Sequence, residues 1–504
     1  MQTSTALLIL RDFVYPLLVA TAVIWAPLLV GSVILEWWLE YVRKATVLKA
    51  KWTMLEIKIP KEITKSPMAM ELILTSLYAD TRPPLFMPRV ETKWSKLLTG
   101  DFGKFYAALW LGVWPLWWSL EIASIEGNIY FFARVEPKNK LAVENLFYAQ
   151  YPQAEITETD DYTKYVPPFK AGNGWDLRGC EYKLKETIGC DKKEAGDKKL
   201  KIPIDALPIK SYIEYGLDDV FSLEEEQKID PLASLLQVMG ALGQGEQAWV
   251  QIVVQGTWAR FDNPDLAKRV DKDKPKPFVT WQDVGKYYID EVILKPWRGY
   301  IINPQAAKKE KKKEGTDEII QEAQEEIKGV QNTGFKDAPE REKKRLESVE
   351  RNLLKSGYDT GIRVLYLGHG PAFKPGRLGE IKGAFKQFNA ANLNSFEAVN
   401  GTDDGFDFPW QDYKDLRKIN NREKMFKRYV KREFFYPPEM GATLALKKVV
   451  DAPLVKGTLK APEISVLSTE ELATIFHFPG SVAQTSGLKR IEAQKAEPPA
   501  NLPI

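Results

Sequence analysis

Side chains able to do covalent or metal chemistry are few and scattered in this chain. There are two cysteines, Cys180 and Cys190, and two histidines, His369 and His477. The cysteine spacing fits neither a CxxC redox pair nor a zinc knuckle, so both read as reduced thiols. Two histidines argue against a histidine-rich metal centre and against most triad chemistry. GHGPAFKPG (368–376) has the wrong spacing for a phosphate loop and a proline on each side of Lys374, so it reads as a loop. GxSxG, HExxH and the kinase motif set are absent. Carboxylates abound, but no pair can be picked out without geometry. The expectation is a protein that is not an enzyme, with no catalytic residue, no cofactor and no metal ligand.

The chemistry that remains is non-covalent. Between 415 and 434, Lys424, Lys427, Arg428, Lys431 and Arg432 are interleaved with Phe426, Tyr429 and Phe434. Such a face can hold phosphate backbones or acidic lipid heads. An amphipathic helix with a snorkelling basic side has the same pattern. The whole chain carries 71 Lys+Arg against 68 Asp+Glu, a net charge of +3, so it is too balanced to bind nucleic acid over its entire surface.

Near the N-terminus, FVYPLLVATAVIWAPLLVGSVIL (13–35) runs without a charge and has the length of a membrane span. Phe13, Leu17, Val23, Trp25, Leu29 and Ile34 would face lipid, and Trp37 and Trp38 would sit in the interfacial belt. Arg43, Lys44, Lys49 and Lys51 follow, which predicts a retained single-pass anchor in the inner membrane with a cytoplasmic body. A second aromatic stretch, 105–120, contains Trp110, Trp114, Trp117 and Trp118. It suits the headgroup layer, a core strand preceded by a packed helix, or a second span.

Stepping along the chain, the periodicity gives the elements. WTMLEIKIP (52–60), SLEIASIEG (119–127), NIYFFARVEP (128–137) and AEITE (154–158) read as strands, with helices after Ser66-Pro67 and over 138–152. That order is β-α-β-β-α-β. It recurs more diffusely as LPIKSYIEY (207–215), LASLLQVMGALG, EQAWVQIVVQG (246–256), TGIRVLYLG (360–368), GRLGEIKGAFKQF (376–388) and NSFEAV (394–399). The expected fold is therefore α+β: an N-terminal transmembrane helix followed by two ferredoxin-like units. The expected divisions are 1–51 (anchor), 52–160 (first unit, Trp-rich insertion at 81–118), 161–400 (second unit, charged helical insertion at 257–358) and 401–504. The Lys/Glu-dense 306–355 reads as a solvated helical hairpin or as an arm that docks a partner. Ser468 and Glu471 form a capping-box pattern, and 496–504 has the style of a linker.

Three patches together resemble the N-terminal, non-ATPase portion of membrane-bound DNA-translocase ATPases of the type IV secretion coupling class. They are LEIKIPKEITKSPMAMELILTSLY (55–78), SLEIASIEGNIYFFARVEPKNKLAVENLFYAQYPQAEI (119–156), and LSTEELATIFHFPG with AEPPANLP (467–480, 496–503). In that family, such segments precede a nucleotide-binding motor, and this sequence stops at the linker where the motor would begin. The resemblance implies a membrane-anchored structural or adaptor subunit working with a separate translocase ATPase. Its expected partners are membrane lipid, that ATPase and further copies of itself. The alternatives are a membrane-tethered nucleic-acid-binding module and a scaffold of another membrane assembly.

Overall fold

The computed structural model describes residues 49–60, 65–81, 117–170, 172–193, 199–218, 229–257, 279–295, 338–404, 412–435 and 463–480. Positions 31, 34, 38, 41, 410, 487, 490 and 491 are also described. The strands are β1 (Thr53–Pro60), β2 (Trp118–Ile125), β3 (Asn128–Val135), β4 (Glu155–Thr159), β5 (Trp175–Leu184), β6 (Thr187–Lys193), β7 (Lys199–Pro203), β8 (Glu246–Gly256), β9 (Gly357–His369), β10 (Phe396–Val399), β11 (Ser465–Ser468) and β12 (Arg490–Ile491). The α-helices are α1 (Met68–Thr81), α2 (Lys140–Gln150), α3 (Ala233–Gly240), α4 (Trp281–Tyr288), α5 (Glu340–Leu353), α6 (Arg377–Phe385), α7 (Leu416–Val430) and α8 (Thr469–Ile475).

Ten of the strands form one sheet, in the order β10-β5-β9-β8-β2-β3-β1-β12, with β11 on β9 and β4 on β1. Every pairing in it is antiparallel except the two-residue contact of β12 with β1. This corrects the expected fold class in two respects. Among the described residues, no helix is long and apolar enough to cross a membrane. The βαββαβ paths are also not separate units, because β2 and β8 pair along their full overlap, from Trp118↔Val254 to Ile125↔Gln247, and make the sheet continuous.

Within that sheet the chain follows one path twice. β1-α1-β2-β3-α2-β4 lies in the order β4-β1-β3-β2, and β5-α3-β8-β9-α6-β10 lies in the order β10-β5-β9-β8. The β2–β8 seam therefore carries a local twofold relation, with α1 packed on α2 in one half and α3 on α6 in the other. The strand expected at 207–215 is a run of turns and bends. β5 takes its place, and the charges Asp176, Arg178, Glu181 and Lys183 hide its alternation.

Local chemistry explains the elements. β2 and β3 close through Glu126 and Gly127, both at positive φ (53° and 82°), the two-residue turn whose twist matches a hairpin. Ser66 caps α1 by accepting from the Met68 amide at 3.2 Å. α8 carries the expected capping box, with the Ser468 hydroxyl accepting from the Glu471 amide and the Glu471 carboxylate accepting from the Ser468 amide. β8 and most of β9 are buried on both faces, as central strands must be.

Strand alternation sorts the core. Leu120, Ile122, Val250, Ile252, Val364 and Tyr366 face the layer of α1, α2, α3, α6 and α8. Trp249, Phe132, Leu365 and Leu177 face the other side, under Met425, Phe426 and Tyr429 of α7. Each fully buried Leu, Ile or Phe contributes about 1.5–3 kcal/mol. α4 and α5 pack through Trp281, Tyr288 and Val349 on Ala206 and Leu207, at the side of the helical layer.

The single-pass, inner-membrane expectation is overturned by the same absence of a membrane-capable helix. Crossing a membrane takes an unbroken apolar helix of about 20 residues, and the described residues hold none. Phe13, Leu17, Val23, Trp25, Leu29, Trp37, Arg43 and Lys44 lie outside the described residues. Ile34 and Trp38 are helical and exposed, and Lys49 and Lys51 are exposed.

Candidate functional site: a buried charge row and the segment that bridges the sheet

The register of β2, β8, β9 and β5 lines up four polar residues. Glu121 lies opposite Gln251, Gln251 opposite Arg363, and Arg363 opposite Glu181. All four are fully buried, on the face covered by α7. Arg363 Nε donates to Glu181 Oε1 at 3.0 Å, and Gln251 Nε2 donates to Glu121 Oε1 at 3.2 Å. Asn400 Nδ2 donates to the other Glu181 oxygen at 2.7 Å.

The row is closed from above by Arg432, just past the end of α7. Its guanidinium is bidentate on Glu121, with Nε–Oε1 at 2.9 Å and Nη2–Oε2 at 3.0 Å, and it also grips Asp161. Tyr162 donates to Glu121 at 2.6 Å, and its hydroxyl meets that of Tyr429 at 2.8 Å. The Glu433 amide bonds back to the Arg428 carbonyl at 2.9 Å, and Arg432 sits at φ 49°, the helix-ending position usually given to glycine. An arginine bears that left-handed strain here because its side chain is locked on two carboxylates.

Burial alone would raise the Glu121 carboxyl, but the Arg432 charge and hydrogen bonds outweigh it and hold it below its usual range. Asp161 is lowered in the same way. Burial also drives the Tyr162 and Tyr429 hydroxyls well above their ordinary value. A carboxylate held ionised under a bidentate arginine is a poor proton donor, and a tyrosine pushed upward stays protonated. The arrangement is suited to locking α7 and its C-terminal strap onto the middle of the sheet.

This placement redistributes the basic face expected at 424–432. Arg432 and Arg428 are buried, with Arg428 beside Glu181 at 3.8 Å. Lys424, Lys427 and Lys431 are exposed, and Lys427 pairs with Glu423. Of the four tryptophans expected at an interface, Trp110 and Trp114 lie outside the described residues. Trp117 and Trp118 are core residues. Trp117 packs on Phe434 at 5.5 Å and its indole donates to the Arg432 carbonyl at 2.6 Å, while Trp118 lies edge-on to Tyr358 at 6.4 Å. The structure thus joins Trp117 and Arg432, two residues that the sequence placed at different surfaces.

On the opposite face, residues 465–478 are buried throughout and bridge the two halves. β11 pairs with the first residues of β9. α8 packs on α1. Phe476 and Phe478 meet Phe131 edge-on at 5.7 and 5.4 Å, and Phe478 meets Tyr151 at 4.9 Å. Polar contacts tie the same segment to the other half. Glu470 accepts from Ser211 at 2.5 Å and pairs with Arg351 at 3.2 Å, and His477 Nε2 lies 3.2 Å from Asp230. Glu471 accepts from the Ile209 amide at 2.9 Å and from Asn352 at 3.4 Å.

Sequence reasoning missed Glu121, Gln251, Arg363 and Glu181. The available signal was a polar residue at the same phase of strongly apolar strands, in SLEIASIEG, EQAWVQIVVQG and TGIRVLYLG. Recognising a row required the register across four strands. Comparisons with protein-family models, with curated proteins and with solved structures find no match to this chain.

Proposed function

We propose that this protein is a structural adaptor subunit of a type IV secretion-like or DNA-translocation machine, acting beside a separate translocase ATPase. One observation carries the reading. The described parts of the three sequence patches that resemble the non-motor portion of such ATPases (55–60 and 65–78, 119–156, and 467–480) are far apart in the chain, yet they pack as one body. β1 and α1 come from 55–78, β2, β3, α2 and β4 from 119–156, and the buried bridge from 467–480. Ile57, Ile73, Phe131, Phe147, Phe476 and Phe478 belong to one common core. Shared packing is what a resemblance spread over separate segments needs if it reflects one module. The ion-paired row beneath α7 adds stiffness, which suits a part that transmits force or holds a partner in place. The membrane anchor expected from the sequence is not part of the proposal.

The test is cross-linking and affinity purification of the full chain from its own cells. The expected result is recovery of a P-loop ATPase. Recovery of stable partners with no ATPase among them removes the proposal. The nucleic-acid alternative has weaker support, because Arg428 and Arg432 are committed to buried carboxylates. Binding to DNA or RNA that falls steeply with salt would restore it.

A further inference from the structure

α1 and α2 pack against each other in the helical layer of the first half, and both turn large apolar side chains outward. Met68 and Leu72 stand four residues apart on α1, and Leu141 and Tyr148 seven apart on α2, so each pair shares one side of its helix. Leu72 is 50% exposed and Leu141 is 67% exposed. The polar groups beside them are already engaged. The Thr75 hydroxyl donates to the Glu71 carbonyl at 2.8 Å, and the Ser76 hydroxyl to the Leu72 carbonyl at 2.9 Å. The Tyr148 hydroxyl accepts from the Ile156 amide of β4 at 3.3 Å. No exposed position described on either helix carries a charge. At the rim, Lys140 is paired with Glu158 at 2.7 Å.

Folding does not demand such a face. The chain follows the same path twice, so α3 and α6 hold the matching place in the second half. The exposed positions of those two helices are Gln237, Gly379, Glu380 and Gly383, with no large apolar side chain among them. One architecture is therefore solvated in one half and left apolar in the other, and a clustered apolar surface marks a contact site. We propose that the α1–α2 face docks on the same face of a second copy of this chain, about a twofold axis.

Two observations select a second copy as the occupant. In a twofold contact each residue meets itself or its near neighbours, so an exposed charge would oppose its like. The α1–α2 face is free of that cost, whereas the α7 surface, with Lys424, Lys427 and Lys431, is not. Area sets the strength. Four exposed side chains of this size fall in the range of about 300–600 Å² that marks a functional patch, short of the roughly 800 Å² per partner of a standard interface. The pairing is accordingly reversible and depends on concentration. It goes beyond the adaptor reading and is measured on the purified chain alone, so either can fail without the other.

Sedimentation of the purified full chain between about 1 and 100 µM tests it. The expected result is a reversible monomer–dimer equilibrium. Leu72→Glu and Leu141→Glu each place a charge where it meets its own copy across apolar surface. Each should weaken the dimer by about tenfold or more, with an unchanged thermal melt. Gln237→Glu, on the matching face of the second half, should leave the dimer as it is. A chain that stays monomeric throughout, as it would if the face served a different protein, overturns the proposal. So does self-association that survives both leucine substitutions. Hydrogen exchange of the native chain gives a second reading that needs no variant. Peptides from α1 and α2 should gain protection as concentration rises while those from α3 and α6 do not, and equal protection at both ends of the range overturns the proposal.

Discussion

Replacing Arg432 with alanine is the sharpest test of the charge row. The arginine is fully buried and holds Glu121 through two bonds of 2.9 and 3.0 Å. Removing it strands a buried carboxylate, which costs about 3–5 kcal/mol. Ser119 and Tyr162 still donate to Glu121 at 2.6 Å each, which places the loss toward the lower end. Alanine keeps the Cβ and with it the left-handed backbone strain of this position, about 1 kcal/mol, which glycine relieves. Arg432→Gly should therefore be about 1 kcal/mol less harmful than Arg432→Ala. The double variant Glu121→Gln with Arg432→Met removes both charges and should recover at least half of the loss. Urea unfolding followed by tryptophan emission reads this directly, since Trp117 donates to the Arg432 carbonyl and Trp249 packs on Tyr429 at 5.4 Å. A loss below about 1 kcal/mol for Arg432→Ala, or a double variant as unstable as the single one, refutes the reasoning.

Three further outcomes are expected. The stabilisation from Glu121 and Asp161, both held below their usual range, is present above ordinary carboxylate values and is lost as pH falls through their folded values, below about 4. Near-UV circular dichroism should show the α7 side of the core loosening there, and Glu121→Gln should blunt the transition. Phe478→Ala removes the ring shared by Phe131, Phe147 and Tyr151 and should cost about 3–5 kcal/mol in a denaturant melt, with exchange rising first in α2 and α8. Gly361 in β9 has no room for a Cβ beneath the Phe435 ring. Gly361→Ala should cost about 1–3 kcal/mol, and Phe435→Leu in the same chain should restore part of it.

The outer parts of the fold were legible in the sequence, and the seam was not. The alternation of EQAWVQIVVQG and the Ser468–Glu471 cap are local signals, and local chemistry decides them. β5 escaped because its charges face partners that only tertiary structure supplies: Glu181 finds Arg363, and Arg178 finds Asp403 at 2.7 Å. The basic helix misled for the same reason. Arg432 and Arg428 look solvated until strands far upstream bring Glu121 beneath the first and Glu181 beside the second. Trp117 and Trp118 read as interfacial because aromatic density does not distinguish a headgroup layer from a sheet core. The continuous sheet follows from one pairing, β2 with β8, between strands well separated in sequence, and no periodicity encodes a register of that kind.

The bridge of residues 465–480 also bears on how the molecule comes to be made. Synthesis runs from the N-terminus, so both halves of the sheet and four of the helices that line the slot leave the ribosome before α8 exists. Until then the faces of Phe131, Phe147 and Tyr151 that Phe478 will cover stay wet, and the first residues of β9 lack their β11 neighbour. The nascent chain must hold an open, apolar slot until residues 465–480 emerge. Closure is then a single late docking step, and a chaperone that shields the slot would find it most exposed just before residue 465 emerges.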